Sequence, residues 1–249
     1  LITRTENGFP AMPIRKSHSK IDAVIFDFDG TLMDTRAATM ETLHRTLARL
    51  GIEPVESPPA GYLHALTVDG MLRAVGVREQ HLLKLACKEF AKRYRVDAMV
   101  CSHLFPGVIE ILETLKHLGF RMAVATNEFR CNLDRFIREF GLDDFFRFTV
   151  CADEVALAKP DPEMAMTALR HLGSSPDTAL MVGDSHLDIQ MGRSAGLMTC
   201  AVTHGCTPGR SLVESAPDFF IDAFHDLAAV LELPIAGPAL PGSPANSSA

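Results

Sequence analysis

Residues 21–34 read IDAVIFDFDGTLMD, and the last nine of them, FDFDGTLMD (26–34), hold three carboxylates. Ile21 to Phe26 is a short, mostly apolar run of the kind a sheet buries. Asp27 and Asp29 then stand at the end of a core strand, where an unpaired charge is costly. In open parallel sheets, ligands bind beyond the carboxyl ends of the strands, so the placement reads as a site. Two ionised carboxylates facing one pocket repel by several kcal/mol at an effective dielectric near 20. Either one acid keeps its proton, or a cation sits between them. Asp34 falls past the turn and reads as a helix cap or a hinge contact.

Downstream, Met40, Leu43, Leu47 and Leu50 recur at helical spacing, and Gly51 ends the pattern. A turn-rich break at 52–60 precedes two more helical patterns, around 62–75 and 79–94. From Phe105 the rhythm changes. Helices at 106–119, 129–141, 161–173 and 185–196 alternate with strands at 120–126, near 146–151, at 178–183 and at 197–202. Such alternation means a mostly parallel sheet covered on both faces. The expected fold is α/β: a Rossmann-like parallel-sheet core with an inserted all-helical cap domain. The core is assigned to 20–34 and 101–233, and the cap to 35–100. Residues 1–19 read as a flexible N-terminal arm. The Pro-, Ala- and Ser-rich run 234–249 reads as a disordered tail.

Composition narrows the function. A formal charge of −7 with no dense Lys/Arg block offers nucleic acid or a membrane surface little to hold. No stretch approaches a membrane span, and the first twenty residues hold no apolar signal-peptide core. The six cysteines show no CxxC spacing, which fits a reducing compartment. A cytoplasmic enzyme, monomer or homodimer, is expected.

Four stretches fall at strand ends or helix starts: FDFDGT (26–31), ATN (125–127), AKPDP (158–162) and VGDSHLD (182–188). Asp184 adds a third carboxylate to Asp27 and Asp29, and Asp188 a fourth, one helical turn later. Oxygen donors with no His or Cys cluster beside them suit Mg²⁺. A hard cation can bridge and neutralise a phosphoryl oxygen. Thr126 and Asn127 could hold other phosphate oxygens, and Lys159 supplies a point charge. Gly30 permits a tight turn whose backbone N–H groups face an anion. Ser185 reads first as a helix cap. A carboxylate beside the metal can act as nucleophile, and the other acid of the pair as general acid and base. The spacing does not say which is which.

With these four motifs in order, over about residues 20–232, the sequence resembles the haloacid-dehalogenase-like hydrolase superfamily, in its phosphatase branch with a helical cap. The resemblance implies that Asp27 is the nucleophile and forms an aspartyl-phosphate. It makes Asp29 the general acid/base, with its backbone carbonyl on Mg²⁺. Asp184 becomes a metal ligand, and Asp188 a ligand or a partner of one. Thr126 and Lys159 would bind the phosphoryl group, and Thr31 would support the loop. The presence of Asp29 argues against a dehalogenase. TVDG (67–70) resembles the cap loop of the phosphoglycolate-phosphatase-like subgroup, only in part. Glu128 stands where that subgroup often has Lys, and reads chiefly as a solvent-facing residue of a first helical turn.

His64, His103, His204, Arg73 and Arg78 are weaker candidates for substrate contact, with solvated or packed positions as the plainer reading. His186 is not expected to bind metal. The expected function is a Mg²⁺-dependent phosphatase acting on a small phosphorylated metabolite, such as phosphoglycolate or a sugar phosphate. The alternatives are a phosphomutase of the β-phosphoglucomutase type and a regulatory protein that keeps the fold without the chemistry.

Overall fold

The computed structural model describes residues 20–205, 207 and 209–233. The expected arm and tail lie outside the described residues. The chain opens with β1 (Ala23–Phe26) and β2 (Met33–Asp34), then a helical block: α1 (Arg36–Leu50), α2 (Ala60–His64), α3 (Val68–Ala74) and α4 (Gln80–Cys101). Next come β3 (His103–Leu104), α5 (Val108–His117), β4 (Arg121–Thr126), α6 (Arg130–Glu139), β5 (Phe148–Cys151) and α7 (Glu163–Leu172). The remainder is β6 (Ala179–Gly183), α8 (His186–Ser194), β7 (Met198–Val202), α9 (Gly209–Glu214), β8 (Phe219–Ile221) and α10 (Leu227–Val230).

Six strands form one parallel sheet in the order β5-β4-β1-β6-β7-β8. The opening strand is therefore central, and the chain order reverses around it. Ligands bind at such a reversal point. All four residues of β1 are fully buried. Val24 and Phe26 pack with Leu112 and Leu115 of α5 and with Phe224, while Ala23 and Ile25 pack with Met164, Ala165 and Ala168 of α7. Two covered faces account for a strand apolar at nearly every position. Burial of each large side chain contributes roughly 1.5–3 kcal/mol. The strand that carries the acids is thus the most firmly anchored part of the sheet.

The helical block sits between β2 and β3, which pair antiparallel with Met33 opposite Leu104 and Asp34 opposite His103. Its outgoing and returning chains are thereby tied side by side. Asp34 accepts from the Arg36 guanidinium at 2.6 Å and from the Arg36 backbone N–H at 3.2 Å, a contact at this crossing. Within the block, α1 and α4 pack along each other. Leu43 and Leu47 are buried on one, and Leu83, Ala86, Phe90 and Tyr94 on the other. Gly51 ends α1 in the left-handed conformation. The helix expected over 62–75 is instead two. It breaks after His64 and restarts where the Thr67 hydroxyl accepts from the Gly70 N–H at 3.2 Å. Among the described residues, no helix is long and apolar enough to cross a membrane.

Candidate active site

The acids are set by the turn that follows β1. The Phe28 carbonyl accepts from the N–H groups of Thr31, Leu32 and Met33, and the Gly30 N–H returns to the Met33 carbonyl at 2.8 Å. Phe28 itself is fully buried against Phe136, with ring centroids 5.5 Å apart. Driving Phe28 inward fixes Asp27 and Asp29 on either side of it. Gly30 has φ +87°, and a Cβ there would lie 2.5 Å from Asp184 Oδ2. Both the turn and the approach of Asp184 require glycine.

Asp27, Asp184 and Asp188 converge, each offering an oxygen within 4.8 Å of the others. Lys159 enters between two of them. Its ammonium donates to Asp27 Oδ1 at 2.5 Å and to Asp188 Oδ1 at 2.6 Å, and all three side chains are buried. The two carboxylates hold the Lys159 pKa above its ordinary value despite burial. Burial pushes Asp27 up, and Asp188 adds to the rise, while Lys159 opposes it. Asp188 Oδ2 accepts from the Ser185 N–H at 3.0 Å and hydroxyl at 2.6 Å, and Ser185 Oγ caps α8 in return. Both Asp188 oxygens therefore already carry hydrogen bonds. Asp184 converges on the two carboxylates that hold the ammonium, and hard oxygen donors within that reach could hold a divalent cation.

Asp29 faces away from this cluster. Its Oδ1 accepts from the Thr35 hydroxyl at 2.7 Å, and Thr35 Oγ1 lies 2.9 Å from His64 Nε2 in the helical block. Burial raises the Asp29 pKa to about 7, with the charge of Glu128 adding to the rise. Two carboxylates that began two residues apart thus have different neighbourhoods, one ionic and one joined to hydroxyl and imidazole groups.

A single cavity of about 50 Å³ joins them. Asp27, Asp29, Thr126, Asn127, Lys159, Asp184 and Asp188 all line it. Thr126 ends β4, and its hydroxyl accepts from the Glu128 N–H at 3.0 Å. The Asn127 amide donates to the Ala65 carbonyl at 3.0 Å and so joins the sheet side to the helical block. Its Oδ1 is buried without a hydrogen-bond partner. The Thr31 hydroxyl is 3.4 Å from Asp27 Oδ2.

A haloacid dehalogenase-like hydrolase profile matches residues 24–202. The chain belongs to that family. A phosphoglycolate phosphatase of Agrobacterium fabrum is 33% identical over 212 residues, which cover 83% of this chain and 91% of the relative. Pyrophosphatase PpaX of Bacillus cereus is 32% identical over 221 residues, covering 85% and 97%. The crystal structure of a haloacid dehalogenase-like hydrolase from Bacteroides fragilis superimposes with a TM-score of 0.78 at 25% identity, covering 84% of this chain and all of that one.

In this hydrolase, several weaker sequence candidates lie elsewhere. Arg73 and Arg78 are exposed and paired with Asp69 and Glu56. His103 is exposed in β3. His186 lines a surface groove with Gln190 and Arg193, outside the carboxylate cluster. His204 packs on Phe105 and lies 3.2 Å from the Thr31 carbonyl, where it braces the turn. Gly70 is used in the cap of α3, while neighbouring Val68 reaches the cavity. Glu128 departs from its expected solvent-facing position: it lines the cavity, and burial raises its pKa. The reason is local. Its Oε1 accepts from the Phe129 N–H at 2.7 Å and the Asn132 amide at 2.9 Å, which folds it over the start of α6.

His64 is the candidate with the most distinctive environment, since burial lowers its pKa to about 4. Unfolded histidine titrates near 6.5. Between these values the unfolded chain binds a proton that the folded one does not, so stability falls as pH drops from 6.5 toward 4. The contribution is up to about 3 kcal/mol at the acid end. Because the raised Asp27 and Asp29 carboxyls pull the other way in both proteins, the test is the difference between them: from pH 7 to pH 4.5, urea melts should change less favourably in wild type than in His64→Gln. An equal change in both proteins would refute the assignment.

Proposed function

We propose that this hydrolase is a Mg²⁺-dependent phosphatase that cleaves a small phosphate monoester through an aspartyl-phosphate on Asp27. The observation that carries the reading is the Lys159 ammonium held between Asp27 and Asp188, with Asp29 turned aside to Thr35. Asp27 attacks phosphorus: an oxygen–phosphorus bond forms as the ester P–O bond breaks. Asp29 gives its proton to the leaving oxygen. Asp29 then takes a proton from the water that attacks the aspartyl-phosphate, which releases phosphate and restores Asp27. A raised Asp29 pKa suits a group that must both give and accept a proton near neutrality.

Lys159 orients Asp27 and faces the phosphoryl oxygens, together with Thr126 and Asn127, whereas the Gly30 N–H expected to face an anion is already given to the Met33 carbonyl. Asp27 and Asp184, with the Asp29 carbonyl, would hold the Mg²⁺, which supplies charge neutralisation to the phosphoryl group when bound. The hydrogen bonds already on Asp188 favour its holding Lys159 over direct ligation. Residues 35–100 serve as the cap over a core of 20–34 and 101–233, and exclude bulk water when closed. The names of the Agrobacterium and Bacillus relatives support a small phosphorylated substrate. The described cysteines are all free thiols, which supports a cytoplasmic setting.

A screen of small phosphate esters, read as phosphate release, tests this proposal. Release should require Mg²⁺, vanish with excess chelator and return on adding the metal back. No release from any ester would contradict it, and isomer formation without release would favour a mutase.

A further inference from the structure

The cavity has two ends of different character. At one end, Lys159 and the converging carboxylates mark the phosphoryl position. At the other, where Asp29 meets the leaving oxygen, Glu128, Tyr94, Thr39 and His64 line the wall with apolar cap residues such as Leu66 and Met71. Burial raises the Tyr94 pKa, and the charges of Asp29 and Glu128 add to the rise. Glu128 is a fixed acceptor here, held by the Phe129 N–H and the Asn132 amide. Among the described residues that line the cavity, Lys159 is the one cationic side chain, and it is bound to Asp27 and Asp188. His64 is kept neutral by burial. The leaving-group end thus offers acceptors and hydroxyls, and no described cation that could pair with an anionic leaving group.

We propose that Glu128 selects the leaving group, and that the substrate is a compact phosphate ester whose alcohol carries a hydroxyl or amine donor and no carboxylate or second phosphate. The inference rests on the phosphatase reading and narrows it. A hydroxyl or ammonium on the leaving group would donate to Glu128. A carboxylate or phosphate there would meet Glu128 across a short distance. Two like charges about 6 Å apart at an effective dielectric near 20 correspond to about 100-fold in relative rate. The preference would set this chain apart from relatives named for phosphoglycolate and pyrophosphate, whose leaving groups are anions.

The experiment compares kcat/KM of the Mg²⁺-loaded full chain on two sets of phosphorylated compounds. The donor set is O-phosphoethanolamine and glycerol 3-phosphate, and the anionic set is 2-phosphoglycolate and pyrophosphate. Wild-type protein should favour the better donor substrate by about 100-fold. Glu128→Gln keeps an acceptor for Phe129 and Asn132 while removing the charge. It should bring the ratio down by about tenfold or more, mainly by improving the anionic set. Thermal melts of both proteins establish that the variant is folded, and Glu128→Asn replaces it if it is not. A wild-type ratio at or below one overturns the inference while leaving the phosphatase reading intact. A ratio unchanged by the variants also overturns it. Hydrolysis of neither set removes the phosphatase reading for these esters and the inference with it.

Discussion

Asp27→Asn lowers kcat by roughly four orders of magnitude or more and leaves the fold in place. The amide matches the carboxylate in shape and still offers Lys159 an acceptor. It cannot form the aspartyl-phosphate, because the amide oxygen is a poor nucleophile. Stability should not fall, since burial already opposes the charge on Asp27. A purified variant, free of contaminating phosphatase, should therefore melt at or above the wild-type temperature while turning over nothing. Retained hydrolysis would remove Asp27 from the chemistry.

Lys159→Met has the second large effect, and it acts on stability as well as rate. Lys159 is buried between two buried carboxylates. Removing one partner of a buried ion pair typically costs about 3–5 kcal/mol, because the other charge is left without compensation. For a chain of this size that lowers the melting temperature by about 10 °C. Adding Mg²⁺ should recover part of the loss, since a cation at Asp27 and Asp184 restores positive charge to the cluster. Phosphate release should fall at least a hundredfold, as both the phosphoryl contact and the orientation of Asp27 are lost. A variant that melts like wild type without metal would mean that the ion pair contributes nothing to the fold.

The sheet and its acids were legible because their signals are local. The run from Ala23 to Phe26 is apolar on both faces, so its burial follows from sequence alone, and the acids after it stand out. The strand–helix alternation from 105 onward placed Thr126 and Asp184 at strand ends in the same way. The pairing of Met33 with Leu104 was not legible. Two-residue strands have no periodicity, and their partners lie far apart in the chain. The break between α2 and α3 was missed because the apolar spacing runs through it. The capping Thr67 was the available signal.

The far end of the cavity depends on how the helical block meets the sheet, which no local pattern encodes. Tyr94 continues the buried face of Leu83, Ala86 and Phe90, and its hydroxyl at the end of an apolar stripe was the clue to a polar pocket. The Asn127 amide reads from sequence as a phosphate donor, and one of its two N–H groups goes to the Ala65 carbonyl. That contact exists only once the two parts of the chain are together. Glu128 carries no signal separating a first-turn surface acid from a pocket acid, because its inward turn is fixed by Asn132 and the backbone of Phe129.

The central claim is that Asp27 carries the phosphoryl group, and trapping that adduct tests it most directly. Asp29→Asn should slow the second step, since no base then activates water. An aryl phosphate, whose leaving group needs no proton, keeps the first step open. After rapid acid quench and peptide mass mapping, one added phosphoryl group should appear on the peptide containing Asp27, and be absent when Asp27→Asn is also present. Phosphate formed under single-turnover conditions with no adduct, or an adduct on another residue, would contradict the account.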